Sequence, residues 1–307
     1  MKKYLLHIVL FFAIVAVIDY GIGYGCVWLQ DHAKGGRMKS VRQSALVQTA
    51  DIVVLGSSRA HHHYVPKVIT DITGMTAHNA GVDGNGIVLA TGLYEMIVER
   101  YHPKMILYEV TPEFDINVYD EDANDERYLG WLRPYYAKES VRRIINRISP
   151  IDRYKDMSSM FRYNSKVVDL LKDQVVISDY TADGYAPLEG VLKEERKLKE
   201  RAVVLIDTLK INMLEELMVK ANQSDIQLIM IASPKYGEQN SDEFVAAKAL
   251  CDKHGIEFWD YYATNVFQKK EYFTHFTHLN SYGAIYYSKI IANRITQYLS
   301  EEGALIQ

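Results

Sequence analysis

Asp51-Ile-Val-Val-Leu-Gly56-Ser57-Ser58-Arg59 decides the architecture of this chain. A short unbroken apolar run that ends in glycine reads as a strand buried on both faces, the kind found in parallel sheets. Glycine lets the backbone turn without a Cβ clash. The two serines suit the first turn of a helix. A strand, a tight turn carrying hydroxyls and a helix therefore open the domain.

The same grammar recurs downstream. A second strand ends near Asn79 and leads into the loop Ala80-Gly81-Val82-Asp83-Gly84-Asn85-Gly86. Helical periodicity over 87–100 precedes a third apolar run at 105–110. A long helix over 203–223 precedes a fourth run at 226–231. A helix over 244–254 precedes a last strand at 256–259, and a final helix follows over 280–299. Strand and helix alternate, which predicts an α/β fold: a doubly wound, mostly parallel five-stranded sheet. Ligands bind such sheets at the carboxyl ends of the strands. Ser58, Gly84, Glu113, Ser233 and Asp260 all fall at or just after those ends. Residues of about 120–200 break the rhythm and read as a helical insertion, with helical pieces at 139–148 and 154–172 and one strand-like run at 174–178.

Upstream of the domain, Lys2 and Lys3 precede an apolar run over 4–18, and a Gly/aromatic tail continues to Leu29. A basic flank and a segment long enough to cross a bilayer predict a signal anchor over 1–29, with a cleaved signal peptide as the alternative. Residues 30–49 read as a polar stalk, and 50–307 as the α/β domain outside the cytoplasm. The chain has 307 residues and a net charge of -4. That balance gives no basic field for nucleic acid. Two cysteines, Cys26 and Cys251, supply neither a disulfide framework nor metal-ligand spacing.

Three short segments carry chemistry. A hydroxyl at Ser58 stands where a helix start stabilises developing negative charge. The glycine loop places Gly84 and Asn85 after the second strand, out of order for a dinucleotide fingerprint. His275-Phe-Thr-His278-Leu-Asn280 precedes the last helix, where a histidine can reach back over the sheet edge as a general base. Arg59 at the start of that helix suits an anionic substrate group. The run His61-His62-His63 cannot share one helix face. One of its members is expected toward the cleft and the others in solvent. No cofactor and no metal is expected. A site formed by His275, His278 and one of His61 to His63 stands as the metal alternative.

Gly-x-Ser after strand one, Asn-x-x-x-x-Gly after strand two and His-Leu-Asn-x-x-Gly-Ala near the end together resemble the SGNH (GDSL-like) hydrolase superfamily. The chain is similar in particular to its membrane-anchored members that handle acyl groups on surface polymers. The resemblance spans about 51–299 apart from the insertion and implies a flavodoxin-like SGNH fold. It implies Ser58 as nucleophile, the backbone N–H groups of Ser58 and Gly84 as oxyanion donors, and His278 as base. His275 stands where the family carries an orienting Asp, which leaves Asp260 as the candidate orienter. Glu113 falls near the family's third oxyanion donor, an Asn, and a carboxylate donates no hydrogen bond unless protonated. Arg59, Asn85 and Glu113 are the expected substrate contacts. The implied function is an esterase or acyltransferase on O-acyl groups, O-acetyl foremost, of an extracytoplasmic glycan. The alternative is a catalytically silent scaffold with protein partners in a cell-envelope assembly.

Overall fold

The five expected strands form one parallel sheet. Its strands are β1 (Ile52–Gly56), β2 (Ala77–Asn79), β3 (Met105–Glu109), β4 (Gln227–Ala232) and β5 (Glu257–Asp260), in the order β2-β1-β3-β4-β5. Each of the five strands expected in the sheet is present to within about two residues. The computed structural model describes residues 2–118, 126–175, 180–193 and 205–305.

The register explains where chemistry collects. Gly56 pairs with Glu109, and Glu109 with Ile231. The turns after β1, β3 and β4 therefore leave the sheet side by side. The order also reverses at β1: the chain steps outward to β2, then crosses back to β3. Such a reversal splays the two following loops apart and opens a crevice between them. Ile52, Val54, Met105, Leu107, Ile229 and Ile231 share one face of the sheet and are fully buried or nearly so. Each such side chain contributes about 1.5–3 kcal/mol relative to exposure.

In chain order the helices are α1 (Lys2–Asp31), α2 (Gly36–Arg42), α3 (Ser58–His63), α4 (Pro66–Thr73), α5 (Ile87–Val98) and α6 (Pro112–Asp115). After these come α7 (Glu126–Leu129), α8 (Glu139–Ile148), α9 (Ser159–Tyr163), α10 (Val167–Lys172), α11 (Thr208–Gln223), α12 (Val245–His254) and α13 (Ser281–Leu305). Helix α11 begins at Thr208 because Asp207 caps it, accepting from the N–H groups of Leu209 and Lys210 at 2.9 and 3.2 Å. Residues 203 and 204, expected in that helix, lie outside the described residues.

The chain divides into two units. One comprises residues 1–42 with 124–178, the other 43–123 with 179–307. The first is helical: α1 packs against α2, α9 and α10. The second holds the sheet. The expected insertion over about 120–200 is thus two things. Its larger part groups with the N-terminal helix, while residues 180–193 belong to the sheet unit. There Leu192 N–H donates to the Phe273 carbonyl and Ala186 N–H to the His61 carbonyl. Of the strand-like run at 174–178, Gln174 and Val175 sit in a turn after α10 and the rest lies outside the described residues.

The expected stalk differs most. Residues 36–42 are α2, with Met38 and Val41 buried three apart on one face, and residues 43–47 form a π-helical turn with Ala45 buried. Polar composition hid an apolar face of a single turn.

A small hairpin also escaped the sequence. β6 (Phe273–His275) pairs antiparallel with β7 (His278–Leu279). Strands of two or three residues carry too few side chains for alternation to show.

Candidate active site

The turn after β1 is built from close approaches. Gly56 has φ +140°, and a Cβ there would lie 2.6 Å from the Glu109 carbonyl oxygen. Only glycine fits. α3 then begins at Ser58, half-buried, with Ser57 buried before it. Asn79 holds the far end of the helix, donating its side-chain amide to the carbonyls of Ala60 (2.7 Å) and Tyr64 (2.9 Å). These are carbonyls that a helix end leaves without partners. The same side chain accepts from Gly81 N–H at 3.0 Å and so fixes the glycine loop to α3. A Cβ at Gly81 would meet the His61 nitrogen at 2.5 Å.

The hairpin β6–β7 and the start of α13 bring the base. Asn280 accepts from Gly283 N–H (2.9 Å) and donates to the carbonyls of Gly190 and Glu271 (2.8 Å each). Gly283 is required because a Cβ would sit 2.2 Å from the Tyr272 carbonyl oxygen. Leu279 is buried in the core. His278 precedes it, and its Nε2 lies 2.9 Å from the Ser58 Oγ. The two residues are 220 positions apart in sequence. Burial, reinforced by the neighbouring His62, lowers the His278 pKa to about 4 although the Asp83 charge opposes it. The imidazole is therefore a neutral acceptor at ordinary pH. Its Nδ1 faces the Thr277 hydroxyl at 3.2 Å.

No protein-family model and no curated protein matches the chain. The assignment of its site rests on its own geometry.

Asp260 does not orient His278. It is exposed, and its carboxylate accepts from Lys248 (2.6 Å), Ser241 (3.0 Å) and the Tyr262 N–H (3.0 Å). His275 sits across the hairpin with its ring 6.2 Å from that of His278. It is exposed and makes no hydrogen bond to the pair. Glu113 is half-buried on α6, its main-chain carbonyl held by Lys210 at 3.1 Å, with no hydrogen bond to Ser58 or His278. Gly84, at φ +68°, and Asn85 follow Asp83 in the loop. Asn85 donates to the Asp83 carbonyl at 3.0 Å, while its buried Oδ1 has no partner among the described residues. A ligand hydroxyl would satisfy it.

Arg59 is corrected most sharply. It turns into the core, where its guanidinium meets the Glu109 carboxylate at 2.9 Å and donates to Ser233. It is 4% exposed. An always-charged group that close to a buried carboxylate is spent on that pair.

The three histidines of α3 are all buried, none in solvent as the helix period suggested. Each has a partner from another segment. His62 Nδ1 lies 2.7 Å from the Ala186 carbonyl, which can only accept, so this nitrogen carries the proton. His61 Nδ1 lies 2.8 Å from Asp83 Oδ1. Burial alone would raise the Asp83 pKa, but hydrogen bonds from His61 and His62 hold the carboxyl well below its usual range. Donor atoms of His61, His62 and Asp83 lie within 4.8 Å of one another. That is the set among the described residues that converges for a metal, and it differs from the His275–His278 set suggested by sequence.

His63 sits deepest and matters most for the base. Its Nε2 accepts from the Leu279 N–H at 3.0 Å, so its Nδ1 donates to the Ser233 Oγ at 2.7 Å. Ser233 in turn donates to Glu109 at 2.7 Å, and Tyr64 donates to the other Glu109 oxygen. Burial, then the Arg59 charge, pushes the His63 pKa well below its ordinary value. The chain Glu109–Ser233–His63–Leu279 thus pins the residue after His278 to the end of α3. Sequence reasoning missed Glu109 and Tyr64, and it named His63 only as one of a run, without this role. The signal for Glu109 was a carboxylate inside an apolar strand, which demands a buried partner.

Proposed function

We propose that the chain is a serine esterase or acyltransferase of SGNH type, with helices wound on both faces of the sheet in the flavodoxin-like manner. The observation that carries this reading is the 2.9 Å contact between Ser58 Oγ and His278 Nε2. Ser58 attacks the ester carbonyl carbon while His278 Nε2 takes the hydroxyl proton. The N–H groups of Ser58 and Gly84 hold the oxyanion, as the SGNH resemblance implies. Collapse expels the alcohol, which regains its proton from His278, and leaves an acyl group on Ser58. Water or a sugar hydroxyl then releases that group by the same steps in reverse. An O-acylated glycan outside the cytoplasm, acetylated foremost, is the proposed substrate, and the long apolar α1 is the proposed anchor.

The test is labelling with a serine-reactive fluorophosphonate, alongside turnover of p-nitrophenyl acetate and of an O-acetylated polysaccharide. Wild type should label and turn over. Ser58→Ala should do neither, with loss on the order of 10³-fold or more. Equal turnover by Ser58→Ala would falsify the nucleophile assignment.

One observation favours a second reading, a catalytically silent scaffold of an envelope assembly. His278 Nδ1 meets a hydroxyl rather than a carboxylate, and the carboxylate partner normally stabilises the charged base. Folded wild type that takes no fluorophosphonate supports that alternative.

A further inference from the structure

Helix α1 changes character at Asp19. Before it, every large apolar side chain over residues 4–18 is exposed, Tyr4 to 75% and Phe12 to 65%. After it, Gly23, Cys26 and Gln30 form one buried face. Asp19 itself is tied down three times, accepting from the Ser158 hydroxyl at 2.6 Å, the Ser159 N–H at 2.8 Å and the Met160 N–H at 2.9 Å. It thereby caps the start of α9 from a different helix. A Cβ on Gly23 would lie 2.4 Å from Ser159 Oγ. Gln30 donates to the Tyr135 hydroxyl at 2.9 Å, and Gln174 to the Leu29 carbonyl at 2.8 Å. The second half of α1 is therefore structural material of the helical unit.

Length then locates the boundary. Fifteen residues at 1.5 Å each give about 22 Å, short of the roughly 30 Å of a hydrocarbon core. Continuing to Tyr24 brings the span to about 30 Å. That stretch is bracketed by Lys2 and Lys3 at one end. At the other stand the exposed aromatics Tyr20, Tyr24 and Trp28, spaced four apart on one face. Aromatic rings of this kind mark membrane interfaces. Asp19 then lies about 7 Å inside that boundary, and α9 is bound to it there. Whatever flanks Ser158 and Ser159 must share this depth. The flanking side chains are Met157, 72% exposed, and Met160, 50% exposed. The 3-10 turn that ends at Met157 adds Tyr154, and Ile151 stands just before it, both exposed. Large apolar side chains gathered this way beside a lipid-seeking helix mark a contact surface. Arg153 and Lys155 are exposed between them, long cationic side chains of the kind that snorkel to headgroups, and Lys155 also pairs with Asp152 at 2.7 Å.

We propose that α1 is retained and that the helical unit is seated in the bilayer which α1 enters, with Ile151, Tyr154, Met157 and Met160 embedded at the headgroup boundary. This rests on the reading of α1 as a membrane span, and the experiment separates the two. The full chain, with the buried Cys26 and Cys251 changed to Ala, carries an environment-sensitive dye at Phe12→Cys, Met157→Cys or Met160→Cys. All three positions are exposed, so the label asks nothing of the core. The chains are reconstituted in phosphatidylcholine–phosphatidylglycerol vesicles with nitroxide at carbon 5 of the acyl chain. Fluorescence should fall at least twofold at all three sites, with little quenching by aqueous iodide. A dye at residues 157 and 160 that iodide quenches like free dye, and nitroxide lipid leaves untouched, overturns the seating while the span at Phe12 stands. An unquenched dye at Phe12 overturns the span. The intact mass of the unmodified chain recovered from membranes should include all of α1, residues 2–31. A mass that begins within or beyond the apolar run at 4–18 overturns retention.

Discussion

Removing Glu109 tests the buried scaffold that positions the base. Its carboxylate has no exposure and faces Arg59, the Ser233 N–H and hydroxyl, and the Tyr64 hydroxyl. Burial raises the Glu109 pKa, and the adjacent guanidinium and the hydrogen bonds pull it back. Glu109→Leu would leave the Arg59 charge, on a side chain only 5% exposed, without its counter-ion. Breaking a buried pair on one side costs about 3–5 kcal/mol. At about 2–4 °C per kcal/mol for a unit of this size, the melting temperature should drop by roughly 6–20 °C. Arg59→Leu should cost a similar amount, for the mirror-image reason. The double variant Arg59→Leu/Glu109→Leu removes both charges and should cost clearly less than the sum, with a coupling of about 2 kcal/mol or more. Thermal unfolding of the full chain in detergent, followed by circular dichroism, reads all three. Single variants that each cost under about 1 kcal/mol, or a double variant equal to the sum, would refute the reasoning.

Further outcomes follow from the same geometry. With the His278 pKa near 4, ester turnover should hold down to about pH 4–5 before falling. A pH–rate profile with its acid limb at the ordinary histidine value of 6.5 contradicts the buried base. His78 is likewise buried, its pKa lowered by desolvation from 6.5 to about 4. A depressed histidine contributes stability that is present above 6.5 and lost as pH falls through 6.5 toward 4, because the unfolded chain takes up the proton first. The loss should approach about 3 kcal/mol, seen as an acid-sensitive melting temperature. His78→Gln should flatten that dependence. Gly81→Ala sets a Cβ against the His61 nitrogen and should cost both stability and fluorophosphonate labelling. A Gly81→Ala chain that labels at the wild-type rate shows that the loop does not support Ser58.

Much of the sheet was legible because parallel strands are apolar without interruption, so Ile52 to Leu55 and Leu228 to Ile231 announced themselves. Ser58 and His278 were legible because each stands at a helix start or just ahead of one, within reach of the strand ends where such sheets bind ligands. What stayed hidden depended on long-range partners. The helix period predicts that adjacent histidines diverge, and they do. Residues of three other segments then cover all of them: Asp83, Ala186 and Ser233. Arg59 beside a nucleophile suggested a substrate contact, and nothing local revealed Glu109 across the sheet. The segments over 124–178 looked like an insertion in the α/β domain because sequence order, not packing, is what a linear reading sees. Met38 and Val41 gave too short a stripe to betray a helix in a polar stretch.

The short run of chain around Ala186 touches α3 twice, through its own N–H to the His61 carbonyl and through its carbonyl to the His62 ring. It is moored again where Leu192 N–H joins Phe273. Fastened at these points within the sheet unit, it straps the helix that carries Ser58 to the hairpin that carries His278.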